Sequence, residues 1–139
     1  LSCDQSVELW SVQLDGKVVR VCQITRDGSK LFVAGECSQI VVVDLTPSLP
    51  RLAGTVAVSV LAIYSLAISR DGRHCFAGAD NGSILHIDVN EMKVLKTLQA
   101  HAAGVTCINV ISKDGSSIVS GTGAYPLLLT RNLLLLSSN

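Results

Sequence analysis

The chain has 139 residues, 48% of them hydrophobic and 16% charged, which is enough apolar side chain for one packed globular domain. Eleven basic residues balance eleven acidic ones, so no net field draws the chain to nucleic acid or to an anionic membrane, and neither is expected as a partner. Cys3, Cys22, Cys37, Cys75 and Cys107 fall in or beside apolar runs without CxxC spacing; this predicts reduced, buried thiols in a cytosolic or nuclear protein, with no disulfide framework, metal site or cofactor.

The first residues, LSCDQS, carry neither a charged leader nor an apolar targeting core. SVELWS follows and reads as the last strand of a preceding unit, with Trp10 as a core side chain. Three segments then share one plan: VCQITRDGSKLFVAGE, SLAISRDGRHCFAGAD and CINVISKDGSSIVSGT. Each is an apolar strand, a polar corner ending in Asp-Gly, and a second apolar strand. Asp27, Asp71 and Asp114 stand 44 and 43 residues apart, and Gly35, Gly78 and Gly121 repeat at 43. Gly28, Gly72 and Gly115 follow the three aspartates and supply the positive backbone angle of a tight hairpin, so all six residues are structural turn positions.

A third strand follows the first two hairpins, as SQIVVVDL and SILHIDV, with Asp44 and Asp88 near its end. A fourth, of weaker alternation, is expected over Arg51 to Val58 and over Lys93 to Gln99, as suits an exposed rim. A period of 43 to 44 residues with four strands per unit is that of WD repeats, and it predicts an all-β fold, a partial WD-repeat β-propeller of about three four-stranded blades with the last incomplete. Residues 1–15 end one blade, 16–60 and 61–100 form complete blades, and 101–123 start a further one. Residues 124–139 form a divergent Leu-rich tail. There Pro126 blocks strand pairing ahead of Leu127 to Leu129 and Leu133 to Leu136, which are too short to span a bilayer. The tail reads as sequence unrelated to the repeat, the alternative being an outer strand of unusual composition.

The segments VVRVCQITRDGSKLFVAGECSQIVVVDLTPSLPRLAG and YSLAISRDGRHCFAGADNGSILHIDV resemble successive blades of the C-terminal propeller of the Groucho, or transducin-like enhancer, corepressors. The likeness runs on through LKTLQAHAAGVTCI, and the linker TPSLPRLAG is its most specific part. The resemblance implies a propeller face that binds short peptides of DNA-bound transcription factors bearing WRPW or engrailed-homology motifs, and work in the nucleus, with the cytoplasm as the alternative. It carries the family's peptide-site arginine onto Arg20 and its glutamate onto Glu36. The aromatic two places before the arginine falls on Val18, which removes a large contact face. Tyr64 matches a family tyrosine of the same site, although a buried aromatic beneath the next blade is the simpler reading of its position.

His101, in AHAAG, is expected to hydrogen-bond within its blade, with Ser120 as the partner offered, whereas His74 and His86 read as exposed or rim positions. No GxSxG elbow, P-loop, HExxH helix or spaced carboxylate pair occurs, so no enzyme is expected. The leading expectation is a protein-binding scaffold of corepressor type. Two alternatives are a divergent scaffold of a non-transcriptional complex and a truncated isoform without independent activity.

Overall fold

The computed structural model describes residues 17–123 and 128–131, so Cys3, Trp10, Pro126 and the Leu133 to Leu136 run lie outside the described residues. Within them every regular element is a β-strand. The first sheet is a meander of β1 (Val19–Ile24), β2 (Lys30–Gly35), β3 (Gln39–Asp44) and β4 (Arg51–Ala57). The second repeats it as β5 (Ile63–Ile68), β6 (His74–Ala79), β7 (Ser83–Asp88) and β8 (Lys93–Gln99). The third holds β9 (Val105–Val110), β10 (Ser117–Thr122) and β11 (Leu128–Arg131). All pairs are antiparallel.

Short corners explain the meander, because two strands joined by three to six residues have nowhere to go but back alongside each other. The first strands converge, β1 lying against β5 and β5 against β9. This fans the sheets about a shared side, the arrangement of propeller blades.

Burial follows from that stacking. Between the first two sheets lie Phe32, Ile40, Val42, Ile63, Cys75, Leu85 and Ile87, each at most 1% exposed. Between the second and third lie Phe76, Ile84, Val105 and Ile118. The middle sheet is covered on both faces, so neighbours in sequence such as Cys75 and Phe76 point into different cores. Only an apolar run, not an alternating one, satisfies both. The outer β8, by contrast, alternates exposed and half-buried residues, as a rim strand with one face against the core must.

Three expectations are corrected here. Cys75 is buried, but Cys22 and Cys107 are exposed and Cys37 is intermediate, because β1 and β9 each leave a face uncovered. His86 is buried at 1% exposure, since the third sheet covers the face of β7 on which it stands. Leu128–Arg131, part of the tail set apart from the repeat, pairs with β10 from Ser117↔Arg131 to Ser120↔Leu128 and takes the third strand's place in the last sheet.

Candidate functional site

The recurring corners lie at one end of the sheets. In the first, Asp27 Oδ1 accepts from Thr25 Oγ1 at 2.7 Å and from Ser29 N and Oγ at 3.0 and 2.7 Å. Thr25 Oγ1 in turn accepts from Lys30 N at 3.0 Å, so a single carboxylate organises both arms of the turn. Ser69 and Asp71 repeat this, with Ser69 Oγ donating to Asp71 Oδ1 at 2.5 Å and Arg73 N donating to it at 3.0 Å. Ser112 Oγ accepts from Ser117 N at 2.9 Å, and Asp114 Oδ1 accepts from Ser116 N at 3.0 Å. Gly28, Gly72 and Gly115 have φ of 75°, 73° and 79°.

These donors favour the ionised carboxylates. Bonds from Ser29 and then Thr25 hold Asp27 at about 2, and bonds from Ser116 hold Asp114 below its usual range. Burial works against the charge on Asp71, yet the bonds from Ser69 and Arg73 outweigh it and its pKa is also lowered. Asp44 and Asp88 cap the next turns, accepting from Thr46 N at 3.0 Å and from Asn90 N and Glu91 N at 2.9 and 2.8 Å. All five aspartates are thus engaged in turn geometry.

The opposite end differs. Each first strand shifts register against its second strand at the same place: between Val19 and Val21, between Ile63 and Ser65, and opposite Gly121/Thr122 between Val105 and Cys107. The unpaired residues are Arg20, Tyr64 and Thr106. A bulge turns its extra side chain out of the ordinary alternation and bends the strand, so three repeat-equivalent residues are presented together where the first strands converge. Glycine on the second strand makes this approach possible: a Cβ on Gly35 would lie 1.9 Å from Val18 O, and one on Gly78 would lie 2.3 Å from Ser65 Oγ.

Arg20 Nη2 donates to Glu36 Oε1, and the Arg20 guanidinium carbon stands 5.5 Å from the centroid of the Tyr64 ring. The Arg20 and Glu36 side chains remain 45% and 43% exposed. Tyr64, at 36% exposure, is not covered by the next sheet as the simpler sequence reading had it; its ring edge instead rests against Gly104, where a Cβ would come within 2.8 Å of Cε2. Val18 is 51% exposed beside them and takes Glu36 N on its carbonyl at 2.9 Å. Arg20, Glu36, Tyr64 and Val18 therefore lie together. Thr106 was missed in the sequence, although it follows Tyr64 by 42 residues as Tyr64 follows Arg20 by 44.

His101 belongs to the framework. It is 6% exposed, and its Nε2 lies 2.9 Å from Ser120 Oγ on β10, joining the loop after β8 to the third sheet.

Residues 56–88 and 92–124 each match the WD40 family, the WD domain or G-beta repeat. The first match takes the end of β4 with β5 to β7 and the second takes the whole of β8 with β9 and β10, so each sequence repeat straddles two sheets. Transducin-like enhancer protein 2 of Mus musculus is 33% identical over 103 residues, covering 74% of this chain, while the chain spans 13% of that relative's length. Among solved structures, the β-propeller domain of Cps50 (Swd1) from Myceliophteria thermophila superposes with a TM-score of 0.75 at 16% identity, over 86% of this chain and 36% of that one. The hydrazine synthase of Kuenenia stuttgartiensis does so with a TM-score of 0.74 at 18% identity, over 94% of this chain and 37% of that one. At such identities the likeness speaks to fold alone. The chain carries WD40 repeats, folded as successive blades of a partial WD-repeat β-propeller.

Proposed function

We propose that this chain is a peptide-binding platform of the Groucho, or transducin-like enhancer, type, recruited in the nucleus by DNA-bound transcription factors with WRPW or engrailed-homology motifs. The observation that carries this reading is the shared bulge. It gathers Arg20, Tyr64 and Thr106, with Glu36, at one mouth, where a cation paired with a carboxylate, the ring beneath that cation and a hydroxyl that donates to Gly121 O at 3.4 Å are all partly exposed. Such a mixture suits a short peptide with charged and ring-bearing residues, because exposed aromatic and arginine side chains are the usual anchors of protein recognition. The 33% identical transducin-like enhancer relative supports the choice of family.

Titration of the full chain with a labelled peptide ending in WRPW tests the reading. Binding that is lost on reversing either charge (Arg20→Glu or Glu36→Arg) is expected, and absence of binding by the unaltered chain overturns it. A second reading rests on Val18. With an exposed aliphatic residue at the place of the family's aromatic, the mouth offers less surface to a tryptophan, which favours a divergent scaffold that takes a different peptide into a non-transcriptional assembly. A peptide array in which aliphatic segments outcompete WRPW would select it.

A further inference from the structure

His86 is a buried base with an unfilled hydrogen bond. Its ring stacks on Phe76 with centroids 4.8 Å apart, its Nε2 lies 2.9 Å from His74 Nδ1, and its own Nδ1 has no partner. His74 in turn touches the third sheet's corner, where a Cβ on Gly115 would come within 3.3 Å of its Cβ and Cδ2. Phe76 and Ile84 pack there on Val105 and Ile118, and Asp71 N donates to Lys113 O across the junction at 3.3 Å. The pair therefore sits in the joint between the second and third sheets.

Proton placement decides how well this joint tolerates acid. When His86 Nε2–H donates to His74 Nδ1, His86 Nδ1 is a bare acceptor, and a buried acceptor without a partner costs less than a buried donor without one. An added proton removes that solution. Placed on His86, it makes a buried cation whose Nδ1–H has no acceptor. Placed on His74 Nδ1, it reverses the bond, and the proton of His86 must move to Nδ1, leaving the same orphan N–H. In both cases only incoming water satisfies it.

We propose that the His74–His86 pair makes the junction of the second and third sheets an acid-opened seam, closed while the pair holds no added proton and parted when one arrives. Charged groups surround it from each packed element. Asp88 stands opposite His74 in the register and Lys96 opposite His86 on β8. Asp71 and Arg73 occupy the corner before His74, Lys113 and Asp114 occupy the third sheet's corner, and the facing positions of β9 and β10 in the core are the apolar Val105 and Ile118. Burial first, then His74, hold His86 at about 4 against 6.5 for a free ring, with Asp88 pulling the other way. A folded pKa below the unfolded one leaves the seam whole above about pH 6.5 and weakens it as pH falls toward 4.

The test is hydrogen exchange on the full chain between pH 7.5 and 5, corrected for intrinsic rates. Protection of β9 and β10 amides is expected to fall about tenfold or more while that of β3 holds, and His86→Leu is expected to remove the difference. Because that variant introduces a new shape into the core, imidazole NMR of the unaltered chain provides a second reading: the His86 signal of the closed chain should titrate near 4, well below the 6.5 of a free ring, so that protection starts to fall while the closed-state imidazole is still neutral. The proposal falls if β9 and β10 keep their protection, or if a folded His86→Leu loses it to the same extent.

Discussion

Arg20 on the first sheet and Tyr64 on the second meet as a cation over an aromatic face, 5.5 Å from guanidinium carbon to ring centroid, although 44 residues separate them in the chain. Each is the extra residue of a bulge, so the contact depends on two backbone irregularities falling at the same level of neighbouring sheets.

Replacing the ring tests whether Tyr64 holds the guanidinium for a ligand. An exposed cation–π contact contributes roughly 0.5–1 kcal/mol, so Tyr64→Leu should weaken peptide binding by about two- to fivefold, with Tyr64→Phe close to the unaltered chain. Fluorescence anisotropy with a labelled WRPW peptide reads this. Thermal melts of both variants should stay near the parent's.

At Gly82 a single methyl should do harm on two counts. Its φ is +87°, and a Cβ there would lie 2.0 Å from the carbonyl oxygen of His101, a backbone atom that cannot swing aside. Gly82→Ala should therefore cost about 2 kcal/mol or more, whereas Gly28→Ala, with φ of +75° but open space around it, should cost about 1 kcal/mol from backbone strain alone. Urea midpoints measured side by side would rank them.

Thiol chemistry should separate the cysteines by burial. Desolvation pushes the Cys75 thiol up to about 12, and its side chain is 0% exposed, so neither thiolate nor access is present at pH 8. Iodoacetamide with peptide mapping should find Cys22 and Cys107 alkylated and Cys75 untouched until urea unfolds the chain.

Acid should reach the corners late. Asp27, held at about 2 against an ordinary 3.8, adds stability that is complete above about pH 4 and is lost as the pH falls toward 2. Asp27→Asn keeps an acceptor oxygen for Thr25 and Ser29 while removing the titration, and should flatten this limb of the acid-unfolding curve followed by circular dichroism.

Legibility in the sequence tracked how local each feature is. Thr25-x-Asp27-Gly28 and its two successors build their turns from atoms a few residues apart, so residue type alone announces them. The rim strands over Arg51–Ala57 and Lys93–Gln99 were legible for a similar reason, since weak alternation betrays a half-covered strand. His86 was misjudged because alternation tells which residues share a face but not whether anything lies over it, and β7 is covered on both sides. The exposure of Cys22 and Cys107 escaped the reading through the same gap, their apolar surroundings in sequence having no counterpart in space.

The amino-acid order by itself determined the all-β class, the 43- to 44-residue period and the corner chemistry, because hairpin turns and strand propensity are settled within a few residues. Only the tertiary structure decided that Arg20, Tyr64 and Thr106 share one mouth, that His74 and His86 share one joint, and that Leu128–Arg131 completes a third strand beside β10. Those facts depend on register between strands and on which sheet covers which, and both are fixed by contacts between residues far apart in the chain.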